Sequence, residues 1–178
     1  MLPVRIIRRV ALLASCVALL LPAQVPGERV GENDWKLLAV AYPPDRGVSV
    51  VLAGTEKTLT ARGLCKVEWR GNAAALELEV QDLPTPAEIG WTGRQYVLWA
   101  VDEEKKTVNL GPVPLKSKDA KWKVQAPFRV FGLLVTAENN QQATAPSMSV
   151  VLESLLPTDP RLVVPVFRVS LKLAPAPG

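Results

Sequence analysis

The sequence predicts an all-β protein: an antiparallel β-sandwich of about seven to nine strands, immunoglobulin-like in general architecture. Apolar and polar residues alternate with period two over several short runs, which is the pattern of strands with one buried and one solvent-exposed face. Turn residues separate these runs at short intervals, and helical periodicity is almost absent after the apolar start of the chain. Together these observations favour a β-sandwich over any fold that contains helices.

The predicted strands follow one another along the chain with Pro-rich and Asn-rich turns between them. In order, they span residues 35–42, 48–53, 64–70, 76–80, 96–101, 121–125, 129–137, 147–153 and 167–173. The 96–101 run is apolar on both faces, which predicts a central strand that is covered on both sides. Pro165 cannot donate a backbone hydrogen bond, so we expect the last strand to lie at an edge of a sheet.

The first 23 residues have the layout of a secretory signal. Basic residues precede an apolar run over residues 10–21, and Pro22 and Ala23 close it. The run is short for a membrane span, so we expect cleavage near Gln24. The predicted layout is therefore a signal peptide (1–23), an exposed arm (24–34), the β-sandwich domain (35–173) and a Pro-rich tail (174–178).

This leader allows two other outcomes. The sequence Leu-Ala-Ser-Cys ending at Cys16 resembles the box before a lipidated cysteine, which makes lipidation of Cys16 the minority interpretation. Alternatively, residues 10–25 stay uncleaved and anchor the protein in the inner membrane. The expected location is periplasmic or extracellular, with membrane attachment only through an uncleaved leader or a lipidated Cys16.

Charge and composition argue against several function classes. The chain has 21 Lys and Arg against 17 Asp and Glu, and Arg5, Arg8 and Arg9 lie in the leader, so the mature part keeps 18 basic residues against 17 acidic ones. This near-neutral balance gives no basic footprint for nucleic acid. We expect no nucleic-acid partner and no cofactor.

Catalytic chemistry has little support in the sequence. Histidine is absent from the whole chain, which removes Ser-His-Asp, Cys-His and imidazole-based metal sites. Cys65 shares the apolar face of its strand, so we interpret it as a buried thiol. Ser117 lies in a charged turn, and the carboxylates of residues 102–104 lie at a predicted hairpin tip. The sequence therefore predicts a protein that is not an enzyme.

About half of the chain, residues 62–152, resembles the extracytoplasmic domain of anti-sigma-K factors. The resemblance rests on a Val-Glu-Trp strand that ends at Trp69, Leu83 with Pro84, the Tyr-x-Leu-Trp strand over residues 96–99, and the Asn-Leu-Gly segment 109–111. It implies a β-sandwich outside the cell with a sensing or docking role. The family's cytoplasmic sigma-binding segment has no counterpart in the nine residues before the apolar run, so sigma-factor sequestration is not expected.

Tryptophan supplies the candidate contact residues, because exposed indole rings often dominate protein interfaces. Trp91 lies between two glycines in a Pro-rich loop that also contains Ile89. Trp35 lies at the start of a strand. The other tryptophans lie on apolar strand faces and are predicted core. The sequence thus predicts a non-catalytic binding or sensor-like module whose partner is another envelope protein. The alternative is a structural or accessory β subunit of an envelope assembly.

Overall fold

The computed structural model describes residues 33–176, and this part of the chain is all-β. Its ten strands are β1 (Asp34–Ala41), β2 (Val48–Gly54), β3 (Arg62–Arg70), β4 (Ala73–Gln81), β5 (Gln95–Asp102), β6 (Thr107–Pro112), β7 (Ala120–Ala126), β8 (Val130–Glu138), β9 (Val150–Pro157) and β10 (Val166–Lys172). All strand pairs are antiparallel, so the predicted fold class is confirmed. The predicted signal peptide, including Cys16, lies outside the described residues.

The strands form one sheet that nearly closes on itself like a barrel. Strand β8 pairs with β5 along one side, and with β9 and the end of β1 along the other. The sheet continues from β9 through β2, β3 and β4 to β7, and from β5 to β6. Strands β6 and β7 approach each other without pairing, which leaves the barrel unclosed at that seam.

A second layer covers part of the outside of this curved sheet. Strands β1 and β10 pair into a ribbon, and its apolar side chains pack on outward-facing residues of β5 and β8. An inner core fills the curved sheet, and an outer core lies beneath the ribbon. The two-layer packing of a sandwich is therefore present where the ribbon covers β5 and β8, while the remaining strands curl around the inner core.

Strand β5 serves both cores, as its apolar composition predicts. Tyr96, Leu98 and Ala100 face the inner core, whereas Val97 and Trp99 face the outer core. Because successive side chains on a strand point to opposite faces, only a strand covered on both sides can bury such a run. The prediction of a central strand is confirmed.

Strand count and strand limits differ in detail from the prediction. Strand β6 was not predicted, because it is short and contains Gly111, which has a positive φ. Its residues are half-buried, except for Pro112, which is exposed. Strand β9 begins at Val150 and continues to Pro157, later than the 147–153 segment predicted. Strand β10 lies at one end of the sheet order, so the predicted edge position is confirmed.

Candidate partner-binding surfaces

The loop over residues 84–93 is held by its own hydrogen bonds. The backbone N–H of Thr85 donates to Glu88 Oε2 over 2.7 Å, and this bond is the main reason that the pKa of Glu88 lies below its usual value. The hydroxyl of Tyr96 donates to the Pro84 carbonyl over 2.7 Å. Gly90 and Gly93 have φ angles of 82° and 81°, a region that glycine adopts without strain. The loop is consequently an ordered turn that a hydrogen bond ties to β5.

This loop places Trp91 as a cover over one end of the barrel. Trp91 and Ile89 are both half-buried and pack against the inner core. The Nζ of Lys57 lies 5.0 Å and the Cζ of Arg94 lies 5.3 Å from the centre of the Trp91 ring. Cations at this range interact favourably with an indole face. The structure brings Ile89 and Trp91 together, and both face the protein interior in part.

Trp35 does not present a contact surface, contrary to the sequence prediction. Its side chain is only 6% exposed and lies in the outer core. The indole Nε1 donates to Glu153 Oε2 over 2.8 Å. The reason is the ribbon, because β1 covers β5 and β8 and turns Trp35 inward. Trp35 is therefore a packing residue, and its hydrogen bond to Glu153 links the ribbon to β9.

The tryptophans predicted to be core residues occupy core or half-buried positions. Trp99 is fully buried, and its Nε1 donates to Thr136 Oγ1 over 2.8 Å. Trp69 and Trp122 are half-buried and pack on the inner core. Trp69 Nε1 donates to the Tyr42 carbonyl over 3.2 Å. Trp99 and Trp69 thus contribute packing and hydrogen bonds, whereas Trp122 contributes packing.

The residues considered for chemistry occupy structural positions. Cys65 is fully buried, and burial raises the pKa of its thiol to about 12, which suppresses the reactive thiolate. Asp102 is buried, and its Oδ1 accepts a bond from the backbone N–H of Lys106 over 2.7 Å, which closes the β5–β6 turn. Within residues 33–176, no group of three or more potential metal ligands is found. No helix of this range is long and apolar enough to cross a membrane.

An apolar groove that sequence reasoning did not identify lies at the opposite end of β9 from Trp91. It has a volume of about 660 Å³ and lies between β2 and the loop that joins β9 to β10. Its apolar lining comprises Val51, Leu156, Pro157, Pro160, Leu162, Val163, Val164 and Val166. Val163 is 94% exposed, and nearby on β10 Phe167 is 43% exposed. Apolar side chains on β2, β9, the loop and β10 thus line one groove, in which Pro160, Val163 and Val166 are exposed and the others are half-buried.

The signal for this groove is present in the sequence. Residues 162–167 read Leu-Val-Val-Pro-Val-Phe, an apolar run in which Pro165 prevents regular pairing. The sequence alone does not distinguish exposed from buried apolar residues in such a run. The fold makes the distinction by packing Leu162 and Val164 against the inner core and leaving Val163, Val166 and Phe167 exposed.

No family model, curated protein or solved structure matches this chain.

Proposed function

We propose that this protein is a non-catalytic binding or sensor-like module of the periplasm or the extracellular space, and that the apolar groove beside β10 is its contact surface. The observation that carries the proposal is the exposed apolar lining of the groove, with Val163 almost entirely in solvent. Contiguous exposed apolar surface is costly in water, and it often marks a site that a partner covers. The basic and apolar layout of residues 1–23 supports the location outside the cytoplasm.

The resemblance of residues 62–152 to the extracytoplasmic domain of anti-sigma-K factors supports a role in the cell envelope. The expected partner is another envelope protein. The 84–93 loop is the less favoured surface, because Ile89 and Trp91 use part of their area to cover the inner core.

The test is site-specific photo-crosslinking in the producing cell, with a photoreactive residue introduced at position 163. We expect one discrete adduct, and we expect Leu162→Asp in the same chain to abolish it. Because Leu162 also packs against the inner core, circular dichroism verifies that this variant is folded. The matched control carries the photoreactive residue at position 123, on the charged outer face of β7. Equal labelling from both positions, or none from position 163, would contradict the proposal.

A structural or accessory β subunit is the second candidate function, and the exposed position of β10 at the end of the sheet favours it. Solution mass separates the two candidates. A monomer in dilute solution favours the binding module, whereas self-assembly without a partner favours the accessory subunit.

A further inference from the structure

Among the described residues, strand β10 pairs with β1 along one side and with no strand along the other. Its register with β1 pairs Leu37 with Val169 and Lys36 with Ser170. Two bonds show which backbone groups of this segment face β1. The N–H of Leu173 donates to the Asn33 carbonyl over 2.9 Å, and the N–H of Ala41 donates to the Pro165 carbonyl over 3.0 Å. In an antiparallel ladder, alternate residues direct their N–H and C=O groups to opposite sides. The odd-numbered residues of β10 therefore bond to β1.

The even-numbered residues of β10 direct their backbone N–H and C=O groups away from β1. These residues are Val166, Arg168, Ser170 and Lys172, and all four are exposed. Within residues 33–176, no backbone or side-chain group bonds to their N–H or C=O groups. In the part of the chain that the structure describes, four consecutive pairing positions on this edge are thus unoccupied.

Ala174, the next even-numbered residue after β10, already pairs with another segment of the chain. Ala174 forms a parallel bridge with Ser147. Its N–H donates to the Pro146 carbonyl over 3.0 Å, and its carbonyl accepts from the N–H of Met148 over 2.9 Å. The segment 146–148 therefore already pairs with the end of the edge on which the four positions are open.

The side chains along the edge define what the added strand must carry. On one face, Val169 and Leu171 lie in the outer core and Phe167 is exposed. On the other face, Arg168 and Lys172 are exposed and Lys36 lies opposite Ser170. Opposite charges on neighbouring strands stabilise pairing, and like charges destabilise it. A complementary strand has apolar residues beside Phe167 and acidic residues beside Arg168 and Lys172.

The same charges disfavour a second copy of this chain. Two β10 strands paired about Ser170 place Arg168 opposite Lys172, and pairing about Arg168 places two arginines together. Basic residues and a nearby proline are common protections of an exposed edge against self-association.

We propose that the open edge of β10 binds an extended segment of a partner protein as an added β-strand, and that this segment alternates apolar with acidic residues. The inference rests on the proposed function, since it names the kind of segment that the binding module takes. Val166 lines the groove and is also the first open position of the edge, so the groove and the edge are continuous.

The first test measures binding of synthetic peptides to the full chain by fluorescence anisotropy. The probe has the length of β10, seven residues, with Val alternating with Glu. We expect it to bind, and we expect a matched peptide of alternating Val and Lys to bind at least about tenfold more weakly. N-methylation of those peptide amides that face β10 should abolish binding, whereas N-methylation of the intervening amides should not.

The second test removes one open donor from the edge without disturbing the β1–β10 ladder. Ser170→Pro eliminates an N–H that points away from β1, and proline is tolerated at such an edge position. We expect Ser170→Pro to weaken the Val/Glu peptide about tenfold, while Ser170→Ala, which keeps the N–H, binds as the parent does. Circular dichroism and the melting temperature verify that both variants are folded. The double variant R168E/K172E should prefer the Val/Lys peptide.

Three outcomes overturn the proposal: no binding of the Val/Glu peptide, binding that survives N-methylation and Ser170→Pro, or dimerisation of the chain through β10. The two peptide outcomes leave the crosslink from position 163 unaffected, whereas dimerisation also favours the accessory-subunit candidate. Conversely, loss of that crosslink with intact peptide binding rejects the groove as the contact surface and leaves strand addition standing.

Discussion

At the scale of single residues, Glu153 has a buried carboxyl group whose raised pKa links folding to pH. Burial raises its pKa to about 7, partly offset by the hydrogen bond from Trp35 Nε1. A carboxyl whose pKa is higher in the folded than in the unfolded chain favours folding at low pH. That contribution is complete below the unfolded pKa of about 4.5 and is lost as the pH rises through about 7.

We therefore predict that the free energy of unfolding falls by roughly 1–3 kcal/mol between about pH 5 and pH 8 on account of Glu153. Urea unfolding at the two pH values measures it. Glu153→Gln is the control, because it keeps an acceptor for Trp35 and cannot titrate. Equal pH dependence in the parent and the variant would assign the effect to other groups.

Trp91 is the residue at which the contact and packing interpretations of the 84–93 loop separate. Because Trp91 packs on the inner core beneath Lys57 and Arg94, Trp91→Ala is expected to destabilise the fold by about 1–3 kcal/mol. Thermal melting measures the loss. Leu59→Ala is the matched control, since Leu59 is 78% exposed and its removal should leave the melting temperature unchanged. An unchanged melting temperature for Trp91→Ala would contradict the packing role and favour the loop as a contact surface.

At the scale of elements, β5 is the strand on which both cores depend. Trp99 is its largest side chain and lies between the ribbon and the curved sheet. Trp99→Ala should cost on the order of 3–5 kcal/mol and leave the protein largely unfolded. Chemical denaturation followed by circular dichroism tests this. Trp99→Phe, which keeps most of the volume but loses the bond to Thr136, should cost less. A Trp99→Ala variant that melts within a few degrees of the parent would show that the strand is not central.

The close approach of β1 to β8 depends on a glycine. A Cβ on Gly132 would lie 2.4 Å from the Leu38 carbonyl oxygen and 2.7 Å from Leu37 Cδ1. Gly132→Ala must therefore displace β1, and we predict a loss of about 2 kcal/mol or more with faster hydrogen exchange in β1 and β10. Gly47→Ala is the control, because its nearest neighbours are flexible atoms of Glu68 and Lys66. Exchange that stays unchanged in the ribbon would contradict this role of Gly132.

At the scale of the whole molecule, the expected location rests on the prediction that residues 1–23 are a signal peptide. We predict that N-terminal sequencing of the protein from the producing cell begins near Gln24, because the apolar run is too short for a comfortable membrane span. A start at a lipidated Cys16 would support the minority interpretation. An intact Met1 in the membrane fraction would make residues 10–25 an anchor.

Much of the fold could be predicted because period-two alternation is a local property. The 64–70, 76–80 and 121–125 runs form the neighbouring strands β3, β4 and β7, and their charged residues form the outer face of the sheet. Strand β6 could not be predicted, since its short segment has no strong alternation. The candidate contact residues were harder to identify, because the local sequence around a tryptophan beside a turn does not indicate whether its indole is exposed or buried.

Sequence alone therefore sufficed for the all-β class, the central position of β5 and the edge position of β10, because composition and alternation act within a few residues. Burial of Trp35 and exposure of Val163 depend on which strands meet across the molecule. The β1–β10 ribbon covers the outer core and buries Trp35. The loop before β10 packs Leu162 and Val164 on the inner core and leaves Val163 in solvent. Long-range pairing places identical apolar residues either in a core or on a surface, and no local pattern contains that information.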